Sequence, residues 1–148
     1  MQLTKATSLL LALLLTTGCA TGFDAATQQQ APTGNGRYLT IGDLSVQNLT
    51  VVAGESNAAL LMKIFNDTTT EDRLIELSVN NQAVLSDIAV PANTKVAYGN
   101  ATNPALTFPA TIQPGGYVPI KMQFEQAGIY EATVLVVPPN NQYAGIVN

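Results

Sequence analysis

Short apolar segments separated by turn residues run through most of the chain. Along these segments apolar and polar residues tend to alternate, so that every second side chain points to the same face. The clearest example is the segment in which Val118, Ile120, Met122 and Phe124 alternate with more polar neighbours. No segment shows the sustained 3.6-residue period of an amphipathic helix. The pattern therefore predicts an all-β domain.

Nine segments are strand candidates. They are residues 38–41, 44–52, 58–66, 73–79, 83–90, 95–98, 106–112, 118–124 and 129–137. Seven to nine short strands at regular spacing are typical of a β-sandwich or a small Greek-key barrel. We therefore predict a Greek-key, immunoglobulin-like β-sandwich over residues 37–139.

The segment at residues 58–66 differs from the others because both of its faces are largely apolar. A strand of this kind is expected at the centre of a sheet, where both faces are covered. Apolar runs also fit a buried helix, but the flanking Gly54 and Asp67 favour a strand.

Residues 1–18 have the pattern of a secretory signal. Lys5 precedes a short apolar run at residues 8–15, and small residues follow it. The run is shorter than the roughly 20 apolar residues that span a bilayer as a helix. Cys19, the only cysteine, follows at once, as in a bacterial lipobox, where a diacylglyceryl group is attached to the thiol before cleavage.

Two interpretations of Cys19 are open. Thr16 stands three residues before it, where a lipobox usually has Leu, so an ordinary secretory signal with a chance cysteine is the alternative. A lone thiol in a secreted protein otherwise needs an explanation, and lipidation supplies one. We therefore predict that Cys19 is lipidated and holds the chain on the extracytoplasmic face of the cell membrane.

Two segments outside the predicted sandwich have little apolar content. Residues 19–36 are rich in Thr, Gln, Ala and Gly, and we predict a flexible tether there. About 17 residues of flexible chain reach on the order of 20–25 Å. Residues 140–148 follow two prolines, and we predict a loosely held tail.

Composition and charge exclude several classes of function. The 148 residues include no histidine and one cysteine, which excludes Ser-His-Asp triads, Cys-His dyads, histidine metal ligands and an internal disulfide. The six Lys and Arg residues form no cluster and the formal net charge is −4, so no nucleic-acid surface is expected. No two of the ten acidic residues stand out as a glycosidase pair. We predict a protein that is not an enzyme and has no cofactor.

The densest group of oxygen ligands lies in the loop at residues 66–72, from Asn66 to Asp72. Carboxylates and carbonyls in one loop can hold Ca²⁺, but the glycine-punctuated Asp-x-Asp spacing of a dedicated site is missing. We interpret the loop as a solvated turn in which Asp and Asn bond to nearby backbone. Arg73, next to Asp72, is interpreted as part of a surface or loop-bracing ion pair.

Met62 and Met122 are candidate soft-metal ligands because thioethers bind Cu(I). Both lie in strand candidates whose alternation points them at the core. Two Met residues without histidine make a poor copper site, so we interpret both as core residues and keep Cu(I) binding as an alternative.

Five segments, read in order, resemble one known family. They lie at residues 61–66, 71–74, 88–93, 113–117 and 122–128, and they contain the series Asp72-Arg73-Leu74, Pro114-Gly115-Gly116-Tyr117 and Phe124-Glu125-Gln126-Ala127-Gly128. Their order and spacing over residues 44–137 resemble the PCuAC family of periplasmic copper chaperones. Residues 36–41 leading into residues 49–52 resemble the LpqE-like lipoproteins of actinobacteria, a divergent branch.

The resemblance implies a cupredoxin-like β-sandwich, in agreement with the strand pattern. In the family, two His and two Met carry Cu(I) to the copper centre of a terminal oxidase. One His-x-Met pair directly follows the Pro-Gly-Gly-Tyr turn, and those positions hold Val118 and Ile120 here. The other His is expected near residues 78–80, where this chain has none. The resemblance therefore implies the family scaffold without its copper ligands.

These observations together predict a membrane-anchored lipoprotein that acts non-catalytically, as an accessory or assembly factor at the cell envelope. By family analogy its partner is a respiratory oxidase complex. One alternative is a copper(I) chaperone with atypical ligands such as Met62 and Met122. Another is a generic envelope module for adhesion or ligand binding.

Overall fold

Ten β-strands make up the fold in a computed structural model that describes residues 36–85 and 87–147. They are β1 Arg37–Ile41, β2 Leu44–Ala53, β3 Asn57–Asn66, β4 Asp72–Val79, β5 Gln82–Leu85, β6 Ile88–Val90, β7 Thr94–Tyr98, β8 Leu106–Pro109, β9 Tyr117–Phe124 and β10 Gly128–Val137. A short 3-10 helix, Asn141–Tyr143, is the only helix in these residues. The all-β prediction is confirmed, and no helix within the described ranges could cross a membrane.

The strands form one curled sheet that folds back on itself. Its order is β5-β4-β9-β10-β2-β3-β7, with β1 paired to β2, β6 to β4 and β8 to β3. We call β1, β2, β3, β7 and β8 sheet A, and β4, β5, β6, β9 and most of β10 sheet B. The last residues of β10 pair in parallel with β2, at Val136–Val51 and Val137–Val52, and so join the two halves. This arrangement agrees with the predicted sandwich.

One apolar core lies between the two sheets. It takes alternate residues from each strand, because successive side chains of a strand point to opposite faces. Fully buried members include Leu60, Met62 and Ile64 from sheet A and Leu74, Leu77, Val79, Ile120 and Met122 from sheet B. The four apolar positions predicted to face inward on β9 are all buried.

Strand β3 is buried on both faces, as its sequence predicted. Leu60 and Met62 face the main core, whereas Ala59 and Leu61 belong to a second apolar cluster on the outer side of sheet A. Val52 and Val137, from the neighbouring strands, complete the sheet side of that cluster. Strand β3 therefore has neighbouring strands on both edges and apolar clusters on both faces.

The C-terminal segment covers this second cluster. Tyr143, in the 3-10 helix, and Val147 are each 8% exposed and pack with Val52, Leu61 and Val137. We predicted a loosely held tail at residues 140–148, and residues 141–147 instead form a third layer on sheet A. The physical reason is that sheet A has an apolar strip on its outer side. That strip is removed from water only when another segment covers it.

The predicted strand at residues 83–90 is two strands. Asp87 interrupts it with a φ of 73°, a conformation that is uncommon outside glycine and cannot continue an extended strand. Its N–H donates to the carbonyl of Leu74 at 3.0 Å, beside a register shift in β4 between Leu74 and Glu76. The strand count is thus ten rather than seven to nine. Strand β8 also ends at Pro109, before the predicted residue 112.

The predicted signal at residues 1–18, Cys19 and the tether up to residue 35 lie outside the described residues.

We expect Tyr143→Ala to lower the free energy of unfolding by about 2–4 kcal/mol, because it removes a large buried ring from the second cluster. Chemical denaturation measures the change. Gln142→Ala is the matched control, since Gln142 is exposed in the same 3-10 helix. Equal, small effects of the two substitutions would show that the segment contributes nothing to stability.

Candidate functional site

The end of β4 and the start of β9 bring together the positions that the family resemblance assigns to copper ligands. Val79 is the register partner of Ile120. The N–H of Asn80 donates to the carbonyl of Pro119 at 2.8 Å, which extends the pairing by one step. Val118 is two residues from Ile120 on the same face of β9. Positions that are about 40 residues apart in the chain are therefore neighbours across two hydrogen-bonded strands.

The side chains at these positions are apolar and buried. Val118 is 7% exposed, and Ile120 and Val79 belong to the main core. Aliphatic groups have no lone pair to offer, and soft metal ions need thiolate, thioether or imidazole donors. This part of the fold therefore packs the core.

A cavity of about 90 Å³ lies beside Ile120, on the outer side of sheet B. Ser78, Asn81, Lys121 and Glu131 contribute its polar lining. Nζ of Lys121 lies 3.3 Å from Oε1 of Glu76, and Lys121 is directly opposite Glu131 in register. These polar groups are hard oxygen and nitrogen donors, which do not suit Cu(I). Lys121 also forms a cross-strand ion pair with Glu76 beside the cavity.

Met62 and Met122 lie in opposite sheets. Met62 is the register partner of Tyr98 on β7, whereas Met122 pairs with Leu77 and Tyr130. Both side chains are fully buried in the main core. Their thioethers fill space among aliphatic neighbours, as the alternation predicted, and a metal ion reaching them would have to enter the core.

The loop at residues 66–72 was considered as a Ca²⁺ site, but the side chain of Asn66 in this loop is already occupied by hydrogen bonds within the protein. Asn66 is fully buried, and its Nδ2 donates to the carbonyls of Thr70 at 2.8 Å and Val90 at 3.0 Å. Its Oδ1 accepts from the N–H of Thr68 at 3.0 Å and from the Thr68 hydroxyl at 2.7 Å. The Asn66 amide therefore ties the loop to β6.

The Asp72 carboxylate joins the start of β4 to the turn between β9 and β10. Oδ1 accepts the N–H groups of Arg73 at 2.7 Å and Gln126 at 2.9 Å, and Oδ2 accepts that of Ala127 at 2.9 Å. Gln126 also returns a bond, from its Nε2 to the carbonyl of Glu71 at 2.6 Å. Asp72 is only 6% exposed, so these bonds supply the polar contacts that burial of a carboxylate requires.

The local-bonding interpretation of the loop is right for Asn66, while its description as a solvated turn is wrong for Asn66 and Asp72, which are buried.

Arg73 does not pair with Asp72. Its guanidinium contacts the carboxylate of Asp87 and lies 3.9 Å from that of Glu71. The hydrogen bond that Arg73 donates to the Asp87 carboxylate, together with the negative charge of Asp87, raises the pKa of Arg73 above the ordinary arginine value. This ion pair is exposed, and it connects Arg73 on β4 with Asp87, which lies between β5 and β6.

An open cavity of about 330 Å³ lies at this end of the sandwich. Asp43, Thr68, Thr70, Asp72 and Gln126 line it together with the Gly42 turn. Within residues 36–85 and 87–147, no group of three or more Cys, Asp or Glu side chains is placed to hold a metal ion. The lining is oxygen-rich, but its buried members, above all Asp72, already bond to backbone.

Comparison with solved structures assigns the fold. The apo PCuAC domain from PmoF1 superposes with a TM-score of 0.58 at 23% identity, covering 70% of this chain and 100% of that one. The copper-bound PCuAC domain from PmoF2 gives 0.54 at 23% identity, covering 70% and 99%. The apo PmoF2 domain gives 0.58 at 21%, covering 71% and 98%. The chain has a PCuAC-like fold.

The comparisons extend no further than the fold. No family model matches the chain, and the search of curated proteins found no match. The PCuAC-like fold agrees with the resemblance drawn from the short motifs. Three motif segments lie at structurally defined places: Asp72 begins β4, Gly115 has a φ of 88° in the turn before β9, and Gly128 has a φ of 93° where β10 begins.

Sequence reasoning missed the Asp72 hydrogen bonds. The only local signal is an acidic residue directly before a strand. The bond donors at Gln126 and Ala127 lie more than 50 residues away in the chain. Their position becomes known only once β4 and β9 are paired.

We expect Asp72→Asn to lower the free energy of unfolding by about 2 kcal/mol. The new amide NH₂ would face a backbone N–H and lose one of the charge-assisted hydrogen bonds. Urea denaturation at neutral pH measures the change. Asp67→Asn, at an exposed position of the same loop, is the matched control and should stay within about 0.5 kcal/mol of the wild type. If both variants behave alike, the Asp72 bonds are not important for stability.

Proposed function

We propose that the chain is a lipoprotein anchored through Cys19, and that its PCuAC-like domain acts without catalysis on the extracytoplasmic face of the cell membrane. The anchor is supported by the signal pattern of residues 1–18 and by the position of the only cysteine directly after it. The absence of histidine from the whole sequence supports a non-catalytic role.

One observation carries the proposal that this domain does not transport copper. The positions that correspond to the family's His-x-Met pair hold Val118 and Ile120, and both side chains are buried in the core beside Val79. An aliphatic cluster of this kind stabilises the fold and gives a Cu(I) ion nothing to bind. The domain then uses the scaffold for contact with other molecules.

We propose that its role is that of an accessory or assembly factor, and by family analogy for a respiratory oxidase. We also propose that it belongs to the LpqE-like branch, for which residues 36–41 and 49–52 are the supporting sequence. The respiratory oxidase is inferred from family analogy alone, and the capture experiment below tests it.

A copper(I) chaperone with atypical ligands is the second candidate. It is favoured by the structural similarity to the PmoF2 domain, which has been solved with copper bound. In this chain the soft donors would be Met62 and Met122. Their complete burial in opposite sheets counts against this function.

We expect no submicromolar binding when the full chain is titrated with Cu(I) against a colorimetric chelator, because the core positions offer no accessible soft donor. The variants Met62→Leu and Met122→Leu are the matched controls, since Leu and Met have similar volumes. Tight binding by the wild type that both substitutions abolish would establish the copper chaperone instead.

We expect the wild-type chain, and not Cys19→Ala, to incorporate a fatty-acid analogue and to sediment with membranes, because the thioether-linked lipid is the anchor. Gel fluorescence and fractionation measure both properties. An unlabelled wild type recovered in the medium would make this a freely secreted protein.

The same membranes test the partner. Affinity capture of the labelled wild type should recover subunits of a respiratory complex, and capture of Cys19→Ala from the soluble fraction should not. Repeated captures without any respiratory subunit would remove the oxidase from the proposal while leaving the anchor intact.

A further inference from the structure

Strand β10 has one edge that is paired only at its end. Along residues 128–135 it pairs with β9 without a register shift. On the opposite edge, β2 pairs only with Val136 and Val137. In the described part of the chain, no other strand pairs with that edge. We call its unpaired segment, residues 129–133, the free edge.

The hydrogen bonds of Val136 show which backbone groups point out of the free edge. Its N–H donates to the carbonyl of Gly116 at 2.9 Å, and its carbonyl accepts from the N–H of Gly115 at 2.8 Å. Both backbone groups of Val136 therefore face the β9 side. Backbone groups of a regular strand alternate in direction from one residue to the next. The N–H and C=O groups of the odd-numbered residues of β10 consequently face the free edge.

Two contacts of Thr133 agree with this direction. Its register partner on β9 is Pro119, which has no N–H to donate. Its carbonyl instead accepts from Nη1 of Arg37 at 3.2 Å. Within residues 36–85 and 87–147, the N–H of Thr133 and both backbone groups of Ile129 and Glu131 have no hydrogen-bond partner. The free edge thus presents unused donors and acceptors in a row.

Other outer strands of the two sheets are short or have occupied edge groups. Strands β5, β6 and β8 contain 4, 3 and 4 residues. On β7, Lys95 is exposed, and the carbonyl of Ala97 accepts from Nδ2 of Asn103 at 3.1 Å. Proteins shorten, charge or cover edges in these ways because an open edge pairs with other chains. The free edge belongs to a 10-residue strand and has no such cover among the described residues.

A row of alternating charges on the outer side of sheet B ends at the free edge. Nζ of Lys121 on β9 lies 3.3 Å from Oε1 of Glu76 on β4, and Lys121 is opposite Glu131 in register. No described residue forms an ion pair with Glu131. Opposite charges across neighbouring strands stabilise a sheet, and like charges destabilise it. A basic residue opposite Glu131 on an added strand would continue the row.

The inner side of the free edge favours apolar groups. Tyr130 and Ala132 are partly buried and pack against the main core. Residues of an added strand that lie opposite these two would share their face of the sheet. The free edge therefore suits a strand that is apolar on its inner side and basic at the middle of its outer side. Strand β10 itself has no basic residue, so pairing with the same strand of a second copy would not supply the missing charge.

We propose that the free edge binds an extended segment of a partner protein as an additional antiparallel strand, with a Lys or Arg of that segment opposite Glu131. Antiparallel pairing is the slightly stronger of the two strand directions. In recognition of this kind, main-chain hydrogen bonds supply affinity and alternate side chains supply specificity. The inference goes beyond the proposed function, and it holds whether or not Cys19 carries a lipid.

Amide hydrogen exchange of the full chain, measured by NMR, tests the proposal residue by residue. The probe is the acetylated and amidated peptide Thr-Val-Lys-Val-Thr at millimolar concentration. Without it, the amides of Ile129, Glu131 and Thr133 should exchange much faster than those of Tyr130 and Ala132, which face β9. The peptide should slow the three odd-numbered amides several-fold and leave the two even-numbered amides unchanged.

Matched variants separate the backbone from the charge. The peptide Thr-Val-Glu-Val-Thr should have a weaker effect on the wild type, and Glu131→Lys should reverse the preference between the two peptides. Glu131→Pro removes an N–H that faces the free edge and leaves the bonds to β9 intact, as proline at a sheet edge does. It should abolish the slowing at Ile129 and Thr133. Glu131→Gln keeps the N–H and should respond to both peptides alike.

Several outcomes would overturn the proposal. Slow exchange of the Glu131 amide in the free protein at every concentration means that the same chain already covers the free edge. Protection that grows with protein concentration assigns the edge to a second copy. No slowing by either peptide removes the binding site, and equal slowing of the wild type by both peptides removes the basic partner. If Glu131→Pro does not fold, the reversed preference of Glu131→Lys decides by the same criteria.

Discussion

The burial of one apolar core between two halves of a curled sheet is the constraint on which this structure depends. Each strand contributes every second side chain, and the core accepts only groups that need no polar partner. Val79, Val118 and Ile120 satisfy this requirement where the end of β4 lies beside the start of β9. Met62 and Met122 satisfy it too, as flexible side chains that fill space. This part of a PCuAC-like fold therefore consists of aliphatic packing.

Polar groups that the core cannot accept are organised at one end of the sandwich. Several backbone N–H and C=O groups at this end would lack a hydrogen-bond partner within the protein if no side chain bonded to them. Asn66 and Asp72 supply those partners, and Asp72 does so across two distant segments of the chain. An oxygen-rich loop that suggests a metal site in sequence is thus used to fix the strand ends. The same bonds hold the turn between β9 and β10 against the start of β4.

The outer faces of the two sheets differ in how far the chain itself covers them. Sheet A has an outward apolar strip that the C-terminal segment covers, which gives the domain a third layer. On the outer side of sheet B, Ile129, Glu131 and Thr133 of β10 are exposed. Leu135, further along the same face of β10, packs against the cluster that the C-terminal segment covers. Strand β10 therefore passes from an exposed outer face to a covered one along its length.

The alternation of residues 118–124, the two apolar faces of residues 58–66 and the turn residues between segments determined the all-β fold, because strand periodicity is a local property of the chain. The motif series was enough to indicate a PCuAC-like fold. Tertiary structure alone decided that Asp72 bonds to Gln126 and Ala127, that Asp87 divides a predicted strand, and that Tyr143 packs on sheet A. Each of these depends on a partner far away in sequence, and no local pattern of hydrophobic and polar residues encodes which distant segment comes next to it.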